Sequence, residues 1–465
     1  MARLPSSFRD PSGFVFSRDG ILYRQVNREY APHFRQLNDS GLYADLTARG
    51  WLIPHAVVDQ PPADPERALL VIRPDVVPFI SHPYEWCFSQ WKDAALLTLD
   101  IQEQALNRGM TLKDASVFNL QFRNGRPVFI DTLSFETLDE AAPGWIAYRQ
   151  FCEHFLAPLS LMAFRDERLG RLLQLHPDGV PLDLACRLLP VRALLNFHRW
   201  VHLRVHAWGQ KRSENASANP RKPVSLRTRL ALVDSLRSAV RSLKWNVPKT
   251  AWSDYYAKSE SYDAATRQAK ESEIAALLQR LKPTTVWDLG SNTGVYSRLA
   301  ADAGATTVIA ADSDAACVEL LYRELSAKGA TKILPLCIDL TNPSPAIGWM
   351  NRERDSLVQR GPADVVLALA VMHHLAIGAN VSFELMAKFF NEIARSLVIE
   401  FVPKDDPMTQ RLLASRKDIF ADYDAPHFEE AFLRYFELRE RRPLPGSNRL
   451  LYWFERRNRA TAGPS

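Results

Sequence analysis

The sequence predicts an α/β protein: a doubly wound, mostly parallel sheet in the C-terminal half, preceded by an α+β domain. Three observations carry the C-terminal assignment. From residue 286 onward, β-branched and apolar runs alternate with helical patterns. The strand runs end at carboxylates, and two glycines break the chain just after the first acid. Such alternation builds parallel strands joined by crossover helices, with ligands held over the strand C-termini.

The first strand reaches Asp288 within Val-Trp-Asp-Leu-Gly-Ser-Asn-Thr-Gly-Val-Tyr-Ser, residues 286–297. Gly290 and Gly294 let the backbone turn sharply and approach a ligand closely, because glycine has no Cβ. The helix that follows, 294–303, offers unpaired N–H groups at its start. A second strand, 306–311, ends at Asp312, about twenty residues past the glycines, where an acid accepting from a ribose belongs. A third, 333–338, ends at Asp339. A fourth, 364–371, runs into Met372-His373-His374-Leu375, and a fifth, 396–402, carries Glu400 and is closed by Pro403. Helical periodicity fills 315–328 and 383–395. The tail 449–457 reads as a last strand at the sheet edge, after a Pro-Leu-Pro-Gly turn of the kind that closes a hairpin.

In these motifs residues 252–457 resemble a class I S-adenosylmethionine-dependent methyltransferase, a Rossmann-like fold. The glycine corner, the acids after strands two and three, and the fourth-strand loop come in that family's order. The resemblance implies S-adenosyl-L-methionine as cofactor. Asp288, Gly290, Ser291, Asn292 and Gly294 would line its methionine portion, Asp312 would accept from its ribose hydroxyls, and Asp339 with Leu340 would contact its adenine. The chain departs from the family at Ser291-Asn292-Thr293, which replace a loop with three glycines. Asparagine tolerates left-handed backbone, so the loop is expected to form.

Methyl transfer from a sulfonium gains most from holding donor and acceptor aligned, with effective molarities of roughly 10⁵ to 10⁸ M. An oxygen or nitrogen acceptor must also lose a proton, a task suited to histidine near neutral pH. His373 and His374 follow the fourth strand, where the family's methyl group emerges, and one of them is expected to act as base or to position the acceptor. The competing account makes one a loop cap and the other a packing residue. Glu400 is an acid inside an apolar strand, so it is either catalytic or ion-paired at the sheet end. Trp252, Tyr255, Tyr256 and Tyr262 fall where the family places a lid, and are expected to pack that lid or flank the ligand.

In the front half, Leu112-Lys-Asp-Ala-Ser-Val-Phe-Asn119 precedes a hairpin that turns at Asn124-Gly125 and ends at Asp131. This pattern resembles the catalytic loop and metal-binding acid of protein-kinase-like phosphotransferases, over residues 12–200. The resemblance implies a base at Asp114 and nucleotide or metal ligands at Asn119 and Asp131. The context fits further, with a long helical pattern over 86–109 before the loop and a strand expected over 68–72. The hairpin 12–26, however, holds only Gly13 and Gly20, Arg24 stands where a strand lysine is wanted, and Asp131 precedes Thr-Leu-Ser. The alternative is a non-catalytic domain in which Asp114 caps a turn and Asp131 ends a strand. Helical patterns continue over 145–164, 169–175 and 182–206. Arg187, Arg192, Arg199 and Arg204 interrupt the last of these and exclude a transmembrane reading. His198, His202 and His206 share one helical face, either as metal ligands or as a polar packing surface.

A length of 465 residues, 46% of them apolar and 24% charged, is that of an ordinary globular protein of two or three domains. The expected division is 1–207 for the α+β, kinase-like domain, 208–250 for a basic linker and amphipathic helix, and 251–465 for the methyltransferase domain. There is no run of eighteen apolar residues and no signal-peptide pattern, so cytoplasm is the expected location. Five scattered cysteines predict neither a disulfide framework nor a zinc site. Between 199 and 250, twelve Lys and Arg face only Glu214 and Asp234, an excess larger than the whole chain's +5. The helix expected over 226–244 could meet RNA phosphates, an anionic membrane or an acidic partner, or pack its apolar stripe and leave its arginines in water. No stacking motif of an RNA-binding module is present, so nucleic acid is not favoured. The functional expectation is a methyltransferase whose front domain positions substrate or partner. The alternatives are a bifunctional protein with an ATP-binding front half, or a non-catalytic scaffold. No motif encodes the methyl acceptor or the oligomeric state.

Overall fold

The computed structural model describes residues 2–142, 144–205, 223–250, 264–414 and 416–457. The chain divides into two compact units, one of 1–246 with 347–354, the other of 247–346 with 355–465.

The first unit opens with an antiparallel five-stranded sheet, β1 (Ala2–Arg3), β2 (Gly13–Arg18), β3 (Ile21–Asn27), β4 (His55–Val58) and β5 (Ala68–Pro74), in the order β1-β2-β3-β5-β4. Between β3 and β4 lie α1 (Ala31–Asp39) and α2 (Leu42–Ala48), which the sequence reading did not assign. Phe14, Phe16, Tyr23 and Val71 form one buried cluster of this unit, and Val26, Tyr30, Phe34, Ile72 and Leu133 another. The long helix α3 (Phe88–Leu106) follows, then β6 (Met110–Leu112), the hairpin β7 (Leu120–Arg123) and β8 (Arg126–Phe129), and β9 (Phe135–Thr137), which pairs with β6. In the helical remainder, α4 (Ala157–Phe164) continues a π turn at Cys152–Leu156.

One expected element is broken. The single helix read over 182–206 ends at Leu188, because Leu189 precedes Pro190 and is driven out of the helical region, to ψ 139°. The chain then resumes as separate short turns.

The basic helix forms as α5 (Leu226–Arg241) and packs within the first unit, against α3. Its Arg237 reaches Asp100 at 3.1 Å and Asp234 at 2.5 Å, and Arg229 donates to the carbonyls of Gly144 and Ala142. These two arginines bind within the unit.

The second unit is built on a seven-stranded sheet. Its strands are β10 (Thr285–Leu289), β11 (Thr307–Asp312), β12 (Ile333–Cys337), β13 (Ala363–Ala368), β14 (Ala394–Phe401), β15 (Phe436–Pro443) and β16 (Leu450–Arg456), in the order β12-β11-β10-β13-β14-β16-β15. The first five strands in that order are parallel, with Asp288 level with Ala310 and Asp312 level with Cys337. β16 inserts antiparallel beside β14, and the expected closing hairpin is β15-β16. Helices α6 (Ala264–Leu281), α7 (Val295–Asp302) and α8 (Ala315–Lys328) bury Ile274, Leu278, Tyr296, Ala300 and Leu321 against Val286, Val308, Val365 and Val398. Three more helices among the described residues are α9 (Phe383–Ile393), α10 (Pro407–Leu413) and α11 (Ala425–Leu433). Phe383 and Phe428 of α9 and α11 join Phe401, Tyr452 and Phe454 in an aromatic cluster. Helices follow β10, β11 and β13, while β12 reaches β13 through short 3-10 turns, and the parallel order makes this the doubly wound α/β sheet that the alternation predicts. Among the described residues, no helix is long and apolar enough to cross a membrane.

Candidate functional site

The strand order reverses between β10 and β13, the place where open parallel sheets bind ligands. Over these strand ends the second unit holds a cavity of about 360 Å³, a small-molecule size. Gly290, Asn292, Asp312, Asp339, Leu340, His373 and His374 line it. These come from four separate loops, so the sheet has brought together residues spread over 85 positions of sequence.

Each loop has a local cause. Gly290 adopts φ +80°, and a Cβ there would lie 2.3 Å from Val371 Cγ2. Only glycine lets the corner pass that close. Asn292 takes the left-handed backbone expected of it, at φ +50°. Its N–H donates to Asp312 Oδ2 at 2.7 Å, while the N–H of Asp314 donates to Oδ1 at 2.8 Å. Asp312 is thereby fixed at the lip of β11 with acceptor capacity left on both oxygens. Burial pushes its carboxyl above the usual range, and those backbone donors pull it back. Asp339 is held likewise, accepting from the N–H and the hydroxyl of Thr341.

Three of the expected ligand residues stand behind the wall. Asp288 is 1% exposed, and Ser297 Oγ donates to its Oδ2 at 2.6 Å; burial raises its carboxyl to about 6. Ser291 is buried, and its hydroxyl has no partner. Gly294 starts α7 at φ +80°, where a Cβ would meet Leu321 at 2.8 Å. None of the three lines the cavity, so their geometry supports the loop that does.

The fourth-strand loop carries the two histidines, with ring centroids 4.2 Å apart. Ala370, before them, is held at φ +55°, a conformation that costs a non-glycine residue of order 1 kcal/mol and that collects at ligand sites. His373 is 1% exposed, and both its ring nitrogens lack a hydrogen-bond partner. Burial, the His374 ring and Arg449 hold it well below its ordinary pKa. Burial also lowers His374.

Glu400 does not line the cavity. It is fully buried, accepting from Lys270 Nζ at 2.5 Å and lying 3.2 Å from Arg449 Nη1, whose Nε in turn holds Asp406 at 2.7 Å. Lys270 itself faces the cavity, with its ammonium 5.0 Å from the Tyr296 ring centroid, and Arg267 joins it one turn earlier on α6. The sequence reading missed Arg267, Lys270, Tyr296 and Met408. An Arg and a Lys three residues apart on the helix before the first strand were the available signal.

In the first unit, Asp131 is bound by Arg24 of β3 at 2.6 Å and accepts from the N–H of Leu133. Asp114 accepts from the N–H of Ser116 and from Gln150, and Asn119 donates both to Asp114 and to Ser134 Oγ. Burial first, then the charge of Asp131, raises the Asp114 carboxyl. The three residues do come together, yet their polar atoms are engaged by protein groups, with the Arg24 guanidinium on Asp131. His198 and His202 converge on Ser235 Oγ, each at 2.8 Å, which is a polar packing arrangement; His206 lies outside the described residues. Trp252, Tyr255, Tyr256 and Tyr262 also lie outside them.

The sheet order, the glycine corner and the cavity over the strand ends define a Rossmann-like α/β protein with a cavity of small-molecule size. Comparison with known proteins adds a family. The nodulation protein NoeA of Rhizobium meliloti (strain 1021) is 34% identical over 474 residues, covering 98% of this chain and 96% of that one. The chain belongs to the family of this nodulation protein. No family model matches it. Among solved structures, it resembles the N-methyltransferase NodS from Bradyrhizobium japonicum WM9, at 12% identity over 42% of this chain and 99% of that one, TM-score 0.32. It also resembles magnesium protoporphyrin IX methyltransferase from Synechocystis PCC 6803, at 16% identity over 46% and 100%, TM-score 0.28. A third likeness is the bifunctional kinase-methyltransferase WbdD, at 14% identity over 45% and 43%, TM-score 0.31.

Proposed function

We propose that the second unit is an S-adenosylmethionine-dependent methyltransferase. The observation that carries this reading is the convergence of Gly290, Asp312 and the partnerless His373 on one cavity over the strand C-termini. The residues suit this cofactor. Gly290 leaves a cradle that a Cβ would fill, Asp312 keeps lone pairs for a ribose diol, and Asp339 with Leu340 flanks the place for a base. When bound, the cofactor supplies a methyl group on a sulfonium. The chain's own part is to fix that group in line with an acceptor and exclude water, from which most of the rate derives.

His373 is the residue suited to position the acceptor. Its surroundings keep the ring neutral near pH 7 and both its nitrogens are buried without a partner, so a bound acceptor hydroxyl or amine that reaches the ring can donate a hydrogen bond to it and be held in line. His374, its ring tilted against that of His373 at 4.2 Å between centroids, orients it. Glu400, placed behind Lys270, acts as a positioning residue and not as the base.

For the first unit, the Arg24–Asp131 ion pair favours a non-catalytic role in positioning substrate or partner. A guanidinium on the expected metal-binding acid opposes a divalent cation there.

Calorimetry of the full chain with S-adenosylmethionine tests the main reading: saturable binding is expected, weakened by about 1 to 3 kcal/mol in Asp312→Asn through loss of a charged acceptor. No binding, or binding unchanged in that variant, overturns it. The same titration with Mg-ATP is expected to give no heat.

A further inference from the structure

The stretch that fails as a membrane span takes an unusual form in the first unit. It is a succession of short turns, Leu182–Leu188, Val191–Leu194 and Phe197–Arg199, with Leu189 and Pro190 extended between the first two. These turns leave large apolar side chains in water: Val191 is 76% exposed, Leu195 79% and Phe197 70%, with Leu188 and Trp200 also exposed. One such residue is ordinary, but five within 188–200 are not. Helical turns advance only 1.5 to 2.0 Å per residue, so the five lie within roughly 30 Å of one another.

The residues among them are cationic. Arg187, Arg192 and Arg204 are exposed, and the sequence has no Asp or Glu from 184 to 213. Arg187 is 2.9 Å from Asp183 and Arg199 is buried, donating to the Ala193 carbonyl and Ser242, so Arg192 and Arg204 are the strongest cations of the group. The core of a protein–protein interface sheds charge from its apolar centre. Here cations stand among the apolar residues along the same short stretch, the pattern of a segment lying in a lipid headgroup layer.

We propose that residues 187–204 form a docking surface for an anionic lipid bilayer, with Leu188, Val191, Leu195, Phe197 and Trp200 entering the acyl boundary and Arg192 and Arg204 meeting headgroup phosphates. This surface shares no residue with the cavity, so the proposal does not depend on the methyltransferase reading.

Co-sedimentation of the full chain with phosphatidylcholine vesicles, with and without phosphatidylglycerol, tests it. Binding is expected to the anionic vesicles and to fall steeply in 0.5 M salt. Arg192→Gln should weaken it about fivefold, the share of one cation near such a surface. Phe197→Ser should weaken it further, while Val57→Ser, also at an exposed site, leaves it unchanged. All three positions are solvent-exposed, and unaltered thermal melts confirm folding. Absence of binding to anionic vesicles, equal binding to neutral ones, or binding indifferent to both Arg192→Gln and Phe197→Ser overturns the proposal. So does a dimer in light scattering that Phe197→Ser dissociates while vesicle binding persists, since the patch would then belong to a second copy.

Discussion

Lys270 Nζ lies 2.5 Å from Glu400 Oε2, and the two side chains are 4% and 0% exposed. An ion pair removed so fully from water is costly to build and costlier to break, because the surviving partner is left charged and unpaired. Glu400 also faces Arg449, itself 1% exposed and shared with Asp406, so two carboxylates balance two buried cations and Glu400 touches both of them.

Glu400→Gln should therefore destabilise the protein by about 3 to 5 kcal/mol. Urea unfolding of the full chain, followed by fluorescence, measures this. Lys270→Met combined with Glu400→Gln should recover part of the loss; a double variant no more stable than the single one would contradict the pairing.

Gly290→Ala places a methyl group 2.3 Å from Val371 Cγ2 at a backbone angle of φ +80°. Donor binding by calorimetry should fall below detection. Adding Val371→Ala removes the clash and not the angle, so binding should return only in part.

Asp288 has a carboxyl raised to about 6 by burial. The folded state then holds a proton that the unfolded chain releases near pH 4, so this group's favourable contribution is complete below pH 4 and is lost as pH rises through 6. Asp288→Asn should accordingly be more stable than the parent at pH 7.5, by a few kcal/mol at most, and lose that advantage by pH 4. Chemical denaturation at the two pH values decides it.

His373 runs the other way. Burial holds its folded pKa well below 6.5, so the unfolded chain takes up a proton near 6.5 that the folded one refuses. Its contribution is complete above pH 6.5 and is lost as pH falls. Heteronuclear NMR of the imidazole should show a neutral ring at pH 6, and His373→Gln should flatten the decline in stability below that pH.

The sheet of the second unit was legible because its parallel strands, buried on both faces, leave short apolar runs that stop at Asp312 and just before Asp339, signals confined to neighbouring residues. Lys270 was not legible. Its one signal, Arg267 three residues before it, is equally what a solvated helix face carries, and its role depends on Glu400, 130 positions away. Glu400 itself stood out as a charge in an apolar strand, but sequence could not say that Arg449 and Lys270 would satisfy it. In the first unit, α1 and α2 escaped because their short apolar spacing falls below the length at which a 3.6-residue period can be recognised. The break at Leu189 could have been read from Pro190 alone.

The two ends of the seven-stranded sheet bear on how the protein behaves when crowded. At one end, β12 carries Pro335, which has no N–H to offer a newcomer. At the other, β15 turns Glu437, Arg439, Arg441 and Arg442 outward and stops at Pro443. An incoming strand would have to strip water from guanidinium and carboxylate groups before finding a partner. A broad parallel sheet, slow to assemble by its topology, is thus shielded at both margins from adding itself to its neighbours during synthesis.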